Sequence, residues 1–130
     1  MTIKWETMRT ATDKLADYKH AKLQWLNTER DRLISAGINH NGFRFQTRDK
    51  DVADLMGVIQ VAQLAPSITT RWLTEDNVEV EMDLPQLQAL GIAVAQHKTY
   101  LVYRCREHKD AIAELQTLQA VDDYLASLEW

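Results

Sequence analysis

The chain has a single cysteine, Cys105, so no internal disulfide can form and a cystine-stapled scaffold is excluded. Two prolines and four glycines in 130 residues are too few for a flexible linker, and no low-complexity tract or solenoid-length repeat occurs. No apolar run approaches the roughly 20 residues that span a bilayer. The opening Met1-Thr2-Ile3-Lys4-Trp5-Glu6 has no apolar stretch, so a secretory signal is not expected. A basic excess is missing too. Lys and Arg number 15 against 19 Asp and Glu, a net charge of −4, which argues against general affinity for nucleic acid or anionic membrane. There is no phosphate-binding glycine loop and no G-x-S-x-G.

What is present suits one globular domain, with a hydrophobic fraction of 45% and a charged fraction of 26%. The periodicity predicts a first helix from about Trp5 to Ile34, with Met8, Leu15, Tyr18, Trp25, Leu26 and Leu33 on one arc. Such a helix would be ~45 Å long, so part of it is expected to project or to pair with another chain. Gly37 ends it. Asn41-Gly42 then predicts a hairpin, with Phe43 and Phe45 on one side and Arg44 on the other. Thr47 or Asp49 is expected to cap a second helix that buries Val52, Leu55, Met56, Ile59 and Ala62 and stops at Pro66. A second hairpin is predicted over 70–82, with Glu75-Asp76-Asn77 at the turn. Val78, Val80 and Met82 alternate there with a wet face of Glu79 and Glu81. Trp72 is expected to be buried, its truncation to alanine costing roughly 3–5 kcal/mol.

Asp83-Leu84-Pro85-Gln86 opens a third helix as a capping box with proline in the first turn. Leu87, Val94, Leu101, His108 and Leu115 recur along it at heptad spacing, with Gly91, Lys98, Cys105 and Ile112 in the companion positions. Thr117 caps a last helix carrying Leu118, Val121, Leu125 and Leu128. The expected class is α+β and predominantly helical: two long, roughly antiparallel helices, two shorter ones and two small β-hairpins.

Candidate chemistry is sparse. Cys105 and His108 lie one turn apart, but His97 is ~12 Å further along the same helix, so the three cannot share one metal ion in a monomer. His40 has no catalytic partner nearby in sequence. Glu75, Asp76, Glu79 and Glu81 could suggest paired glycosidase carboxylates, but alternation places Glu79 and Glu81 on a solvated face. Lys and Arg in the first helix are interleaved with Glu6, Asp13, Asp17 and Glu29, so a salt-laced solvent face is the simpler reading than a nucleic-acid surface. No catalytic residue, metal or cofactor is expected, and the protein is read as no enzyme. The residues expected to bind a partner are Trp5, Met8, Leu15 and Tyr18 on the first helix and Glu79 and Glu81 on the acidic strand. Against the docking role of the helix stands the plainer one, that its stripe is core.

Four segments carry a resemblance: Glu29-Arg30-Asp31-Arg32-Leu33-Ile34 followed by Gly37; Asn41-Gly42 with Phe45 and Thr47; Leu55-Met56-Gly57 running to Ala65-Pro66; and Trp72-Leu73-Thr74-Glu75-Asp76-Asn77 followed by Leu87, Leu90 and Gly91. Over about Tyr18 to the C-terminus the chain resembles an uncharacterised domain family of tailed phages and prophages, associated with tail-fibre proteins and genes. Arg48 and Asp51 depart from that pattern, which often has an acidic residue and a serine cap there. The division expected is an N-terminal helical extension over 1–17 and the family domain over 18–130. The resemblance implies a non-enzymatic role in tail-fibre assembly or attachment, or as a minor tail component. It implies a tail or tail-fibre partner, a homo-oligomer with a trimer as the associated symmetry, and a place in the host cytoplasm during assembly or in the virion tail. A phage-encoded inhibitor of a host or defence protein, acting through the acidic hairpin or the first helix, is the alternative.

Overall fold

Each helix starts where a side chain answers backbone N–H groups that the helix itself leaves unpaired. At α1 (Ala11–Ile34) the Thr10 hydroxyl accepts from the Asp13 amide, and the Asp13 carboxylate accepts from the Thr10 amide, both at 3.2 Å. At α2 (Asp49–Leu64) Asp51 reaches back to accept from the Arg48 amide at 3.0 Å and from its guanidinium at 2.8 Å. At α3 (Leu84–Ala113) Asp83 and Gln86 exchange reciprocal bonds of 2.9 Å. Thr117 accepts from the Ala120 amide at 3.0 Å to open α4 (Leu118–Ala126). Between the helices lie the antiparallel pairs β1 (Ile38–His40) with β2 (Phe43–Phe45), and β3 (Thr70–Leu73) with β4 (Glu79–Met82). The computed structural model describes residues 10–130. It is α+β and mainly helical, with the expected elements in the expected order.

The described part of the first helix opens at Ala11 with the Thr10–Asp13 box; the expected start near Trp5, and Met8, lie outside the described residues. The second is opened by Arg48 and Asp51 rather than by Thr47 or Asp49. Thr47 serves the other end of α1. Its buried hydroxyl donates to the Ile34 carbonyl at 2.5 Å and accepts from the Gly37 amide at 2.9 Å.

The chain divides into two compact units. In one, formed by the described residues up to Glu29 and by Tyr103–Trp130, Leu26, Cys105, Ile112 and Val121 are buried together. Lys19 Nζ donates to the Ala113 carbonyl at 2.9 Å and Cys105 Sγ to the Leu26 carbonyl at 3.7 Å. Advancing along α1 therefore means retreating along α3, the antiparallel pairing expected. Leu15, Tyr18, Leu125 and Leu128 close over this cluster. Trp25 and Leu118, expected on the buried faces, are each 44% exposed.

In the other unit, Arg30–Val102, the core joins Ile38 and Phe45 of the first hairpin, Leu55 and Ala62 of α2, Met82 of β4, and Leu87, Leu90 and Val94 of α3. Asn41 (φ 50°) and Gly42 (φ 83°) both take positive φ, as the two-residue hairpin turn demands. Gly37 is required by geometry as well as by φ of 97°, because a Cβ there would meet the Phe45 carbonyl oxygen at 2.8 Å. Side chains answer carbonyls at and just beyond the end of α1: Leu33 by His97 Nε2 at 3.0 Å, Ile34 by Thr47, and Ala36 by Arg44 Nη2 at 2.8 Å. Arg44 also pairs with Glu75 at 3.2 Å, and the Glu75 amide donates to the Arg44 carbonyl at 2.8 Å, so one side chain joins the two hairpins.

Trp72 is half-buried rather than buried, and Met56 and Val78 are exposed. Trp72 stands opposite Val80 in the β3–β4 register and packs on the core from its margin. Its truncation to alanine is therefore expected to cost about 1–3 kcal/mol, below the range for a fully buried aromatic. A urea titration followed by circular dichroism measures it; a loss above that range would place the indole fully inside.

Candidate interaction surfaces

His108, Cys105 and His97 are held by structural bonds. His108, 3% exposed, donates from Nε2 to the Glu129 carbonyl at 2.9 Å, and its Nδ1 lies 2.7 Å from the Tyr124 hydroxyl. Its ring meets Tyr124 and Trp130 edge to face at 5.7 and 5.3 Å. Burial pushes its pKa down, and Arg104 adds to this; the Glu129 carbonyl and Glu107 pull the other way. Both ring nitrogens are occupied, so His108 is committed to holding the segment after α4. Cys105 is buried against Leu26 of α1. His97 belongs to the other unit, on the end of α1, as the helical spacing required. His40 lies at the hairpin tip beside Asn41, 3.3 Å away. Among the described residues, no group of three or more His, Cys, Asp and Glu could hold a metal ion, and no helix is long and apolar enough to cross a membrane.

Of the side chains expected to bind a partner, Trp5 and Met8 lie outside the described residues. Leu15 and Tyr18 are half-buried against the Leu26 cluster. The Tyr18 hydroxyl donates to Asp122, which raises the phenol's pKa, and Lys22 Nζ sits 5.1 Å from the ring centre. Glu79 and Glu81 are exposed on β4. Glu79 pairs with Arg71 at 3.5 Å, and Glu81 accepts from the Thr69 hydroxyl at 2.6 Å.

Two concave surfaces of the Arg30–Val102 unit were not foreseen. One is a mostly apolar cavity of about 390 Å³ among Ile34, Val52, Met56 and Val94, with His97 and Lys98 among its polar lining. The second is a groove between α2 and β3. At one end a hollow of about 330 Å³ is lined by Asp51, Asp54 and the consecutive residues Arg71, Trp72, Leu73 and Thr74. At the other, one of about 540 Å³ is lined by Ala53, Asp54, Gly57, Val58, Val61 and Thr70. Asp54 belongs to both, so the hollows adjoin there. Side chains of a strand alternate between its faces, so a surface touching four successive residues runs along the strand's edge. The sequence signal for this groove was Gly57, a glycine inside a helical pattern.

The fold and these surfaces define a mainly helical α+β module with open concave surfaces on its Arg30–Val102 unit. The chain belongs to the family described as a domain of unknown function, DUF4376, which it matches over residues 17–126. Comparison with curated proteins and with solved structures finds no match.

Proposed function

We propose that the protein is a non-enzymatic accessory of a phage or prophage tail, acting by binding in tail-fibre assembly or attachment. The observation that carries the binding part is the apolar surface left open around the end of α2. Leu64 is 88% exposed, Val61 63% and Ile68 55%, beside the groove along β3. Contiguous exposed apolar surface rimmed by polar groups is how interaction sites present themselves. The engagement of His97, Cys105 and His108 in structural bonds supports a role without chemistry. The tail assignment is supported by the four segments that resemble the tail-fibre-associated family. Assembly would take place in the host cytoplasm, with a tail or tail-fibre protein as partner and with self-association of the chain, a trimer matching a trimeric fibre.

The test is affinity purification of the tagged chain from cells producing the phage that encodes it, beside mass spectrometry of the purified virions. A tail or tail-fibre protein recovered in stoichiometric amount is the expected result. Recovery of a host or defence enzyme in its place would overturn the tail reading in favour of an inhibitor.

A further inference from the structure

We propose that the groove between α2 and β3 receives an extended segment of a partner protein, added to the free edge of β3 as a third strand, with an apolar side chain over Gly57 and a lysine or arginine against Asp54. This rests on the binding reading above and names the surface and the chemistry of what it binds.

The strand edge comes first. β3 pairs only with β4 among the described residues. The Thr74 amide donates to the Val78 carbonyl at 2.9 Å, which makes that pair a hydrogen-bonded one. Antiparallel pairs alternate, so Trp72 and Thr70 turn their backbone groups toward β4, and Arg71 and Leu73 turn theirs outward. That outward row is a template for another strand, and the consecutive lining by residues 71–74 shows that it forms one wall of the groove.

The opposite wall explains the glycine. Glycine in a helix interior costs about 1 kcal/mol relative to alanine. At Gly91 the cost has an internal reason, because a Cβ there would meet Ile59 Cδ1 at 2.9 Å and Met56 at 3.3 Å. At Gly57 a Cβ would meet nothing within 4 Å. The space is kept clear of the chain's own atoms, and Val58 and Val61 give it an apolar border.

Charge sets the rest of the specificity. Asp51 is held by Arg48, and Arg71 by Glu79. Asp54 makes no ion pair among the described residues and lines both hollows, the first of which Trp72 also lines. A carboxylate without an ion-pair partner in the groove is matched by a cation on the incoming segment.

The experiment uses the full chain as bait for a displayed library of random peptides. The enriched peptides should alternate, with an apolar residue and a Lys or Arg on the same side, and their binding should perturb the backbone amide resonances of Arg71 and Leu73. Gly57→Leu should weaken them at least about tenfold, the equivalent of ~1.4 kcal/mol, and Gly57→Ala less. Both variants should melt no lower than the parent, because leucine and alanine are better helix formers than glycine. Asp54→Lys should weaken peptides carrying the cation and spare those in which it is replaced by glutamine. Peptides bound equally by the parent and Gly57→Leu would overturn the groove while leaving a binding role elsewhere intact. A parent chain whose self-association in sedimentation is abolished by Gly57→Leu would overturn it in favour of a second copy.

Discussion

Phe45→Ala is expected to lower stability by about 3–5 kcal/mol, the range for removing a fully buried phenylalanine. Phe45 is 1% exposed and stands opposite Ile38 in the β1–β2 register. It shares a cluster with Leu55, Leu87 and Leu90, so its ring fastens the first hairpin to the helices of that unit. Little can move in to fill the space. The Phe45 backbone is fixed against Gly37, whose α-carbon approaches the Phe45 carbonyl too closely for a side chain, and Thr47 two residues on is bonded to both Ile34 and Gly37. A cavity that cannot collapse puts the cost toward the upper part of the range. Phe43 provides the comparison. It lies on the same strand 6.4 Å from the Phe45 ring but is 39% exposed, and its truncation should cost less than half as much. Urea denaturation followed by circular dichroism and by indole fluorescence measures both; equal losses would mean that the hairpin is held by its turn and not by Phe45.

The legible parts of this fold were those written in neighbouring residues. Asn41-Gly42 fixed a hairpin because both positions need positive φ, and they have it. Asp83 and Gln86 announced α3, Thr117 announced α4, and Pro66 bounded α2, since capping and proline chemistry act within a turn. The heptad spacing of α3 located Leu87, Val94, Leu101 and His108, all buried, whereas Lys98, read into the companion positions of the same seam, is exposed. Less legible was everything decided by a distant segment. A helical stripe spans a broad arc, and Trp25 is only about 100° round the helix from Leu26, so periodicity could not say which of the two would be covered. Thr47 looked like a helix cap and is one, but for the Ile34 carbonyl 13 residues back rather than for the helix that follows it. The groove along β3 depends on which edge of a two-stranded sheet faces α2, and sequence patterns hold no record of that.

His108 carries the second large effect. Replacing it with alanine removes the partner of the Tyr124 hydroxyl, one of the two donors to the Glu129 carbonyl, which Arg104 Nη2 also reaches at 3.0 Å, and the ring on which Trp130 and Tyr124 rest. The Tyr124 hydroxyl left without its partner costs about 1–3 kcal/mol, and the hole left by the buried ring adds to it, so the total loss expected is about 2–4 kcal/mol after relaxation. His108→Gln, which keeps a donor and an acceptor, should recover part of it. A pH dependence distinguishes this histidine from a packing residue. Burial lowers its pKa in the folded protein, Arg104 in the same direction, against the weaker raising pull of the Glu129 carbonyl and Glu107. In the unfolded chain the imidazole takes its proton at the ordinary value near 6.5. Below that pH the unfolded state holds more protons than the folded one, so stability rises with pH there. The contribution is complete above about pH 6.5 and is lost as the pH falls toward the lower folded value. Melting midpoints taken from about pH 8 down to about pH 5 should therefore fall for the parent and fall less for His108→Gln, the difference opening below about 6.5. Parallel profiles would mean that His108 binds its proton equally well in the folded and unfolded chain, and a difference of the opposite sign would mean that it is charged in the fold and its bond to the Glu129 carbonyl ionic.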